Sequence, residues 1–502
     1  MALIPSQAAQ YDWSVLQVSN LQNGQFRKEL TNQVDRPMQG LSLGPSLTVL
    51  LPLGWFKQDS PELVVQVSSV GTYHVSVVIR DVASSTLLNE TTTFFCRYVR
   101  KNIRHLSDFD RTMFFDTFAV LMEVNTFSGQ PQFGDNYYGL DHFVETHLSR
   151  AGGRTVDHMH DGLGFLTQHV AITNEFELAL QSVEPRLTVP YWDFAEDKYL
   201  ALQSDDPNTA IWGLDIWDSD WFGTAEGAEH TVKAGRWAWQ QVSKGSSNAS
   251  YPINAFGFLR APWNVNKSPY LTRVHKFCGE YLEVSEHWPS CENHYDWTFA
   301  DDYDTLYDYL WAAPYAPHAT IHSMIGGYTN CGNITEELEA QGIEMPTLGR
   351  SMAKFRLDTL VFVKNMYRYG LAEAPEYCSM DTPQEDCHLV CTDKINNETF
   401  IHEVLTHSHT TWFGTWISSL PSTFKPAVMR VLCNTPWSPG EQMEAASPAD
   451  VSFWPIHPTL ERLFQYRRMV KGFSSSKWEN ENGTTSFCIY SSASNCEGHH
   501  SM

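Results

Sequence analysis

The chain has 502 residues, with 34 Lys and Arg against 58 Asp and Glu, a formal net charge of -24. Such an acidic chain repels phosphate backbones and anionic lipid, which argues against nucleic-acid and membrane-surface roles. A content of 42% apolar and 13% aromatic residues excludes disorder as the main state, and no stretch approaches the ~20 apolar residues of a membrane-spanning helix.

The opening MALIPSQAAQYDW has neither a basic nor an apolar leader region, so no signal peptide is read there. Leu63 to Val70, Tyr73 to Asp81 and Thr86 to Phe95 are Val- and Thr-rich runs with partial alternation. They predict a small antiparallel β domain over residues 1–95. From Val99 the apolar residues fall three and four apart, which predicts a helix with Ser107 as its N-cap ahead of Asp108 and Asp110. This change of period puts a domain boundary near residue 96. Phe143 to Leu148 and Phe165 to Val183 read as helical, the second stopping before Pro185. Residues 199–300, rich in Trp, Gly, Ser and Asn, read as long ordered loops around a site. A second irregular stretch, about 328–447, carries several of the cysteines. A predicted helix from Ile456 to Val470 and a Ser/Asn-rich tail, 476–502, close the chain.

Ten cysteines and six N-x-S/T sites (Asn89, Asn248, Asn266, Asn333, Asn397 and Asn482) point to an oxidising, secreted or lumenal setting with disulfides and glycans. The sharper alternative for one group is a zinc site on Cys378, Cys387, His388 and Cys391.

Histidine is abundant, at 20 residues, so a lone H-x-x-x-H such as His318 and His322 is expected about once by chance. Its physical meaning would be two imidazoles one helical turn apart, able to share a metal. The context of other histidines gives it weight. His160 and His169 stand nine positions apart, with eight residues between them and Phe165-Leu166 just before the second. Glu175-Phe176-Glu177 and Pro190-Tyr191-Trp192-Asp193-Phe194 follow. Upstream lies LDHFVETHL, ending on His147. Downstream, HATIHSMIGG holds His318 and His322 ahead of Gly326 and Gly327, and Asp450-Val451-Ser452-Phe453-Trp454-Pro455-Ile456-His457 is followed by Glu461.

In order and spacing, this set resembles the tyrosinase family, the type-3 copper proteins that include catechol oxidases and molluscan haemocyanin units. The resemblance implies a mainly α, four-helix-bundle copper domain with long loops, residues 96–475, after the small β domain. It implies two copper ions, the first on His147, His160 and His169 and the second on His318, His322 and His457, acting on dioxygen and a small phenol. Imidazole suits copper, and three ligands per ion leave a position open for substrate. The match selects His147 over His142 and leaves His158 beside the site or in solvent. His409, near His402 and His407, is the rival for His457. His499 and His500 read as solvated. Glu175 and Glu177 either bind imidazole N–H groups or form surface ion pairs. Trp212, Trp217, Trp221, Trp237 and Trp239 read as packing.

Four departures from the family pattern bear on activity. Ala319 follows His318 where many tyrosinases have an Asn that helps deprotonate monophenols, so o-diphenols become the favoured substrates. Gln168 and Val170 flank His169 in place of Trp and Arg. No Cys lies between His147 and His160 to crosslink a ligand. Between His322 and His457 stand 134 residues, an insertion expected at the site's rim. The reading is a copper phenol oxidase making o-quinones. The alternatives are a haemocyanin-like dioxygen carrier and a zinc-loaded relative without oxidase chemistry. Residues 1–95 are expected to shield the site or mediate assembly.

Overall fold

The computed structural model describes residues 10–19, 54–58, 70–80, 83, 85–154, 157–160, 163–245, 251–344, 352–407 and 411–478. The chain divides into two units, Met1–Val99 and Arg100–Met502. In the first, β1 (Gln10–Ser19), β2 (Gly54–Gln58), β3 (Gly71–Arg80) and β4 (Thr86–Cys96) form one antiparallel sheet in the order β2-β1-β3-β4. Tyr73 and Phe94 sit opposite each other in the β3–β4 register, and their rings stack at 5.0 Å. Of the strand predicted from Leu63 to Val70, all but Val70 lies outside the described residues. The strands β1 and β2 were not predicted. The β1 register shifts between Gln17 and Ser19, and such an irregularity breaks the alternation that would announce a strand.

The second unit is helical with long loops. Its first helix, α1 (Asp108–Glu123), starts where the capping signal predicts, with the Ser107 hydroxyl accepting from the Asp110 N–H at 3.1 Å. Then come α2 (Thr126–Phe133), α3 (Leu140–Ala151) and α4 (Gly164–Val183). On α4 the buried residues Phe165, His169, Ile172, Phe176 and Ala179 recur three and four apart, a stripe that faces the core. Phe176 stacks at 3.5 Å on Trp454, which stands on the helix Phe453–Val470.

Two devices lock this last helix to α4. Arg100 donates to Glu177 (2.9 Å) and Asn174 (2.8 Å) on α4 and to Glu461 (2.5 Å) on the last helix. The Pro190–Phe194 segment supplies the second. The Trp192 N–H donates to the Pro455 carbonyl, and Trp192 O accepts the Thr459 hydroxyl at 2.6 Å. The fully buried Trp192 ring packs on Trp217, Phe222 and Trp288. The Trp-rich stretch therefore builds core around this clamp, although Trp239 is 43% exposed.

The long insertion leaves and returns at one place, because Tyr328–Thr329 pairs with Ser438–Pro439. Glycines make this approach possible. A Cβ on Gly326 would stand 2.4 Å from the Met443 nitrogen, and Gly327 has φ +55 with the Lys276 carbonyl 2.3 Å from its would-be Cβ. Disulfides Cys278–Cys331, Cys378–Cys387 and Cys391–Cys433 staple the region. This pairing removes the alternative zinc site, whose three cysteines are all bonded. Among the described residues Cys96 and Cys291 are free. One glycosylation expectation also fails. Asn266 is buried and donates to the Thr272 hydroxyl, so no glycan can be attached there. Asn89, Asn333 and Asn397 are exposed, whereas Asn248 and Asn482 lie outside the described residues.

Two ion pairs with almost no solvent contact hold the returning segment, Arg260–Glu441 and Arg273–Asp450. Arg273→Met leaves Asp450 buried without its bidentate partner. We expect a loss of about 3–5 kcal/mol, read as an earlier denaturant midpoint for the near-ultraviolet circular dichroism of the chain.

Candidate metal centre

The structure gathers His147 on α3, His160 on the loop that follows, His169 on α4, His318 and His322 around the start of the helix Thr320–Gly326, and His457 on the last helix. Donor atoms of His147, His160 and His169 lie within 4.8 Å of one another, as do those of His169, His318 and His457. The His322 ring stands beside the second group, its centroid 4.3 Å from His318 and 5.4 Å from His457. The two groups thus share a wall, with His169 stacked on His457 at 4.3 Å.

Every one of the six rings has its Nδ1 engaged. His169 meets the Phe165 carbonyl (2.8 Å), His318 the Pro314 carbonyl (3.2 Å) and His457 the Phe453 carbonyl (3.0 Å), each four residues back. His147 meets the Ala445 carbonyl (2.6 Å) and His322 that of Gln442 (3.0 Å). His160 meets the Asp157 carboxylate at 3.0 and 3.1 Å. A carbonyl oxygen only accepts, so Nδ1 must carry the proton in the five carbonyl-bound rings, and Nε2 presents a lone pair. The Nε2 atoms of His147, His169 and His322 are buried with no hydrogen-bond partner. Those of His318 and His457 face each other at 3.2 Å. With both Nδ1 atoms protonated no hydrogen bond joins them, so two lone pairs oppose each other in a buried space. Only an electron-pair acceptor satisfies such a set, and imidazole nitrogen is a copper donor.

Burial keeps five of these rings neutral. Burial, reinforced by the neighbouring imidazoles, pulls His147 down to about 3 and His322 down to about 4. Burial, with the other imidazoles next, also holds His169, His318 and His457 well below the usual range. Phe165 closes one wall, 4.4 Å from His169 and 4.3 Å from His318, and Phe453 another, 4.2 Å from His457. Five of the six rings are almost wholly buried, whereas the His160 side chain is 27% exposed and marks the open side.

The remaining sequence candidates fall elsewhere. His142 stacks on Tyr138 and reaches Glu175 at 3.5 Å, while Glu177 binds Arg100 and the Val189 N–H. Both acids therefore serve the surrounding frame. His158 is half-buried, its N–H on the Arg150 carbonyl. His402 is exposed on the helix Glu398–His407, and His409, His499 and His500 lie outside the described residues.

Sequence reasoning missed the supports: Asp157, Gln442 and Ala445. The last two sit on one strand of chain between Glu441 and Asp450. Glu441 accepts from Thr272 and Arg260, and Glu444 accepts the Ala261 N–H at 2.9 Å, with burial pushing its carboxyl up to about 7. Asp450 takes Arg273 and the Ser452 hydroxyl, and that hydroxyl accepts from the Gln442 amide. A carbonyl carries no residue signature, but two acids in an apolar run just before the His457 motif were a visible, if faint, signal.

A helical frame with a buried, histidine-walled cation site defines a metalloprotein. Residues 137–339 match the family model described as the common central domain of tyrosinase, so this part of the chain is similar to that domain. That match spans five of the six histidines, and His457 lies beyond it. Grixazone synthase of Streptomyces griseus subsp. griseus is 38% identical over 65 residues, covering 11% of this chain and 21% of that protein. The chain thus matches about a fifth of this relative's length. The domain match and the histidine groups together support a tyrosinase-like copper protein.

The lowered imidazole values have a sign. Unfolded histidines take protons below about 6.5, whereas the folded ones resist until about 4 or lower, so the unfolded state binds more protons as pH falls. The metal-free chain should hold its thermal midpoint between pH 7 and 8 and lose it progressively from about pH 6.5 downward. A flat profile down to pH 5 would contradict the burial argument.

Proposed function

We propose that this protein is a copper oxidase that converts o-diphenols to o-quinones, with His147, His160 and His169 holding one copper and His318, His322 and His457 the other. The observation that carries this reading is the set of Nε2 lone pairs turned toward one another while every Nδ1 is engaged outside. Bound copper ions would take up dioxygen and pass it the electrons of two catechols, giving two quinones and two waters. The protein's own part is to hold the imidazoles aimed, five of them kept neutral by burial, and to exclude water with Phe165 and Phe453. Substrate would approach past His160, the exposed edge.

Ala319 supports diphenols over monophenols. Its side chain has no acceptor, and its carbonyl is occupied by the Ser323 hydroxyl at 2.7 Å, so no proton acceptor stands next to His318 at this position. A catechol loses its protons more readily than a monophenol and has less need of one. The disulfides support a secreted or lumenal setting.

Copper-loaded chain should bind two ions and oxidise a catechol quickly and the matching monophenol slowly. His457→Ala should retain one ion and lose catechol turnover by at least about 1,000-fold, the scale of losing an essential electrostatic element. Ala319→Asn should raise the monophenol-to-catechol ratio. Copper binding without turnover would favour a dioxygen carrier, and preference for zinc would favour a relative without oxidase chemistry.

A further inference from the structure

Five of the six imidazoles lean on backbone carbonyls, and His160 alone leans on a carboxylate. It also stands outside the helices and is the most exposed of the set. A loop residue has no carbonyl held four residues behind it by a helical ladder, so its orientation must come from elsewhere. Asp157 supplies it. One carboxylate oxygen accepts the Met159 N–H (3.0 Å) and the His160 N–H (2.9 Å), and both oxygens face the His160 Nδ1.

Asp157 is fully buried, and a carboxylate there needs cations. They come from the insertion. On the helix Met352–Arg368, Lys364 reaches the other Asp157 oxygen at 3.0 Å and Arg368 reaches it at 3.3 Å. Arg368 also donates to the Ala151 carbonyl, at the end of the helix that carries His147. Both cations lie over the Trp263 ring, at 5.4 and 5.7 Å, which fixes them from behind.

We propose that Lys364 and Arg368 are positioning residues of the first copper site, acting through Asp157 to fix the His160 ring and set its donor strength. The helix Met352–Arg368, some 207 residues from Asp157 in sequence, is then a working part of the metal centre. This proposal rests on the two-copper reading. An ionised acceptor pulls harder on the Nδ1 proton than a carbonyl does, which makes Nε2 the stronger donor. The cations moderate that pull and stop the carboxylate from turning away. The two half-sites are therefore unequal by construction, because His318, His322 and His457 have only carbonyls behind them.

The test is copper affinity on the full chain, by competition with a chelator, for the native protein, Asp157→Asn, Lys364→Met and Lys364→Arg. Asp157→Asn should bind one ion normally and the other about 10–100-fold more weakly, the usual cost of losing such a support. Lys364→Met should weaken the same ion by less, and Lys364→Arg should restore it. At a copper level that fills both native sites, Asp157→Asn should show the paramagnetic resonance signal of a lone Cu(II), which the native paired ions lack. Two ions bound with native affinity by both Asp157→Asn and Lys364→Met would overturn the proposal. If Asp157→Asn does not fold, Lys364→Met decides alone, its side chain being partly exposed. A native chain that bound no copper would instead sink the two-copper reading itself.

Discussion

The constraint on which this structure depends is the disposal of one proton per imidazole. A histidine can offer Nε2 as a donor only if its Nδ1 proton has a fixed acceptor, and in a dry interior that acceptor must be built. The protein solves this in three ways. His169, His318 and His457 use the carbonyl four residues behind, which their own turn of chain provides. His147 and His322 use carbonyls of the Glu441–Asp450 segment, which two buried ion pairs hold in place. His160, on a loop, uses the carboxylate of Asp157.

This order explains how the rest of the chain is arranged. Helices α3, α4, Thr320–Gly326 and Phe453–Val470 bring rings to one point, and the burial of Phe176 against Trp454 and the Arg100 bridge keep two of them in register. The returning insertion is equally necessary. Gly326 and Gly327 let the chain pass close enough for the Gln442 carbonyl to meet His322. What looks in sequence like a long interruption between His322 and His457 supplies the carbonyls that His147 and His322 meet and the two cations on Asp157.

Much of this was legible beforehand. The α1 cap at Ser107, the helical period of α4 and strands β3 and β4 follow from local period and spacing, because helices and strands repeat their buried positions regularly, whereas the six histidines were singled out by the resemblance to the tyrosinase family. The insertion's role was not legible, since it works through backbone carbonyls and through Lys364 and Arg368, ordinary residues made special only by proximity to Asp157. The disulfide reading held against the alternative zinc site: Cys378, Cys387 and Cys391 look like ligands by spacing, but Cys433, 42 residues past Cys391, decides their pairing. Asn266 has the sequon but lies buried, a fact no tripeptide reveals.

The central claim is that six Nε2 atoms converge on two copper ions. Anomalous diffraction at the copper absorption edge, on crystals of the copper-loaded chain, tests it most directly. The account predicts two anomalous peaks, one bonded to His147, His160 and His169 and one to His318, His322 and His457. A single peak, or peaks bonded to other side chains, would contradict it.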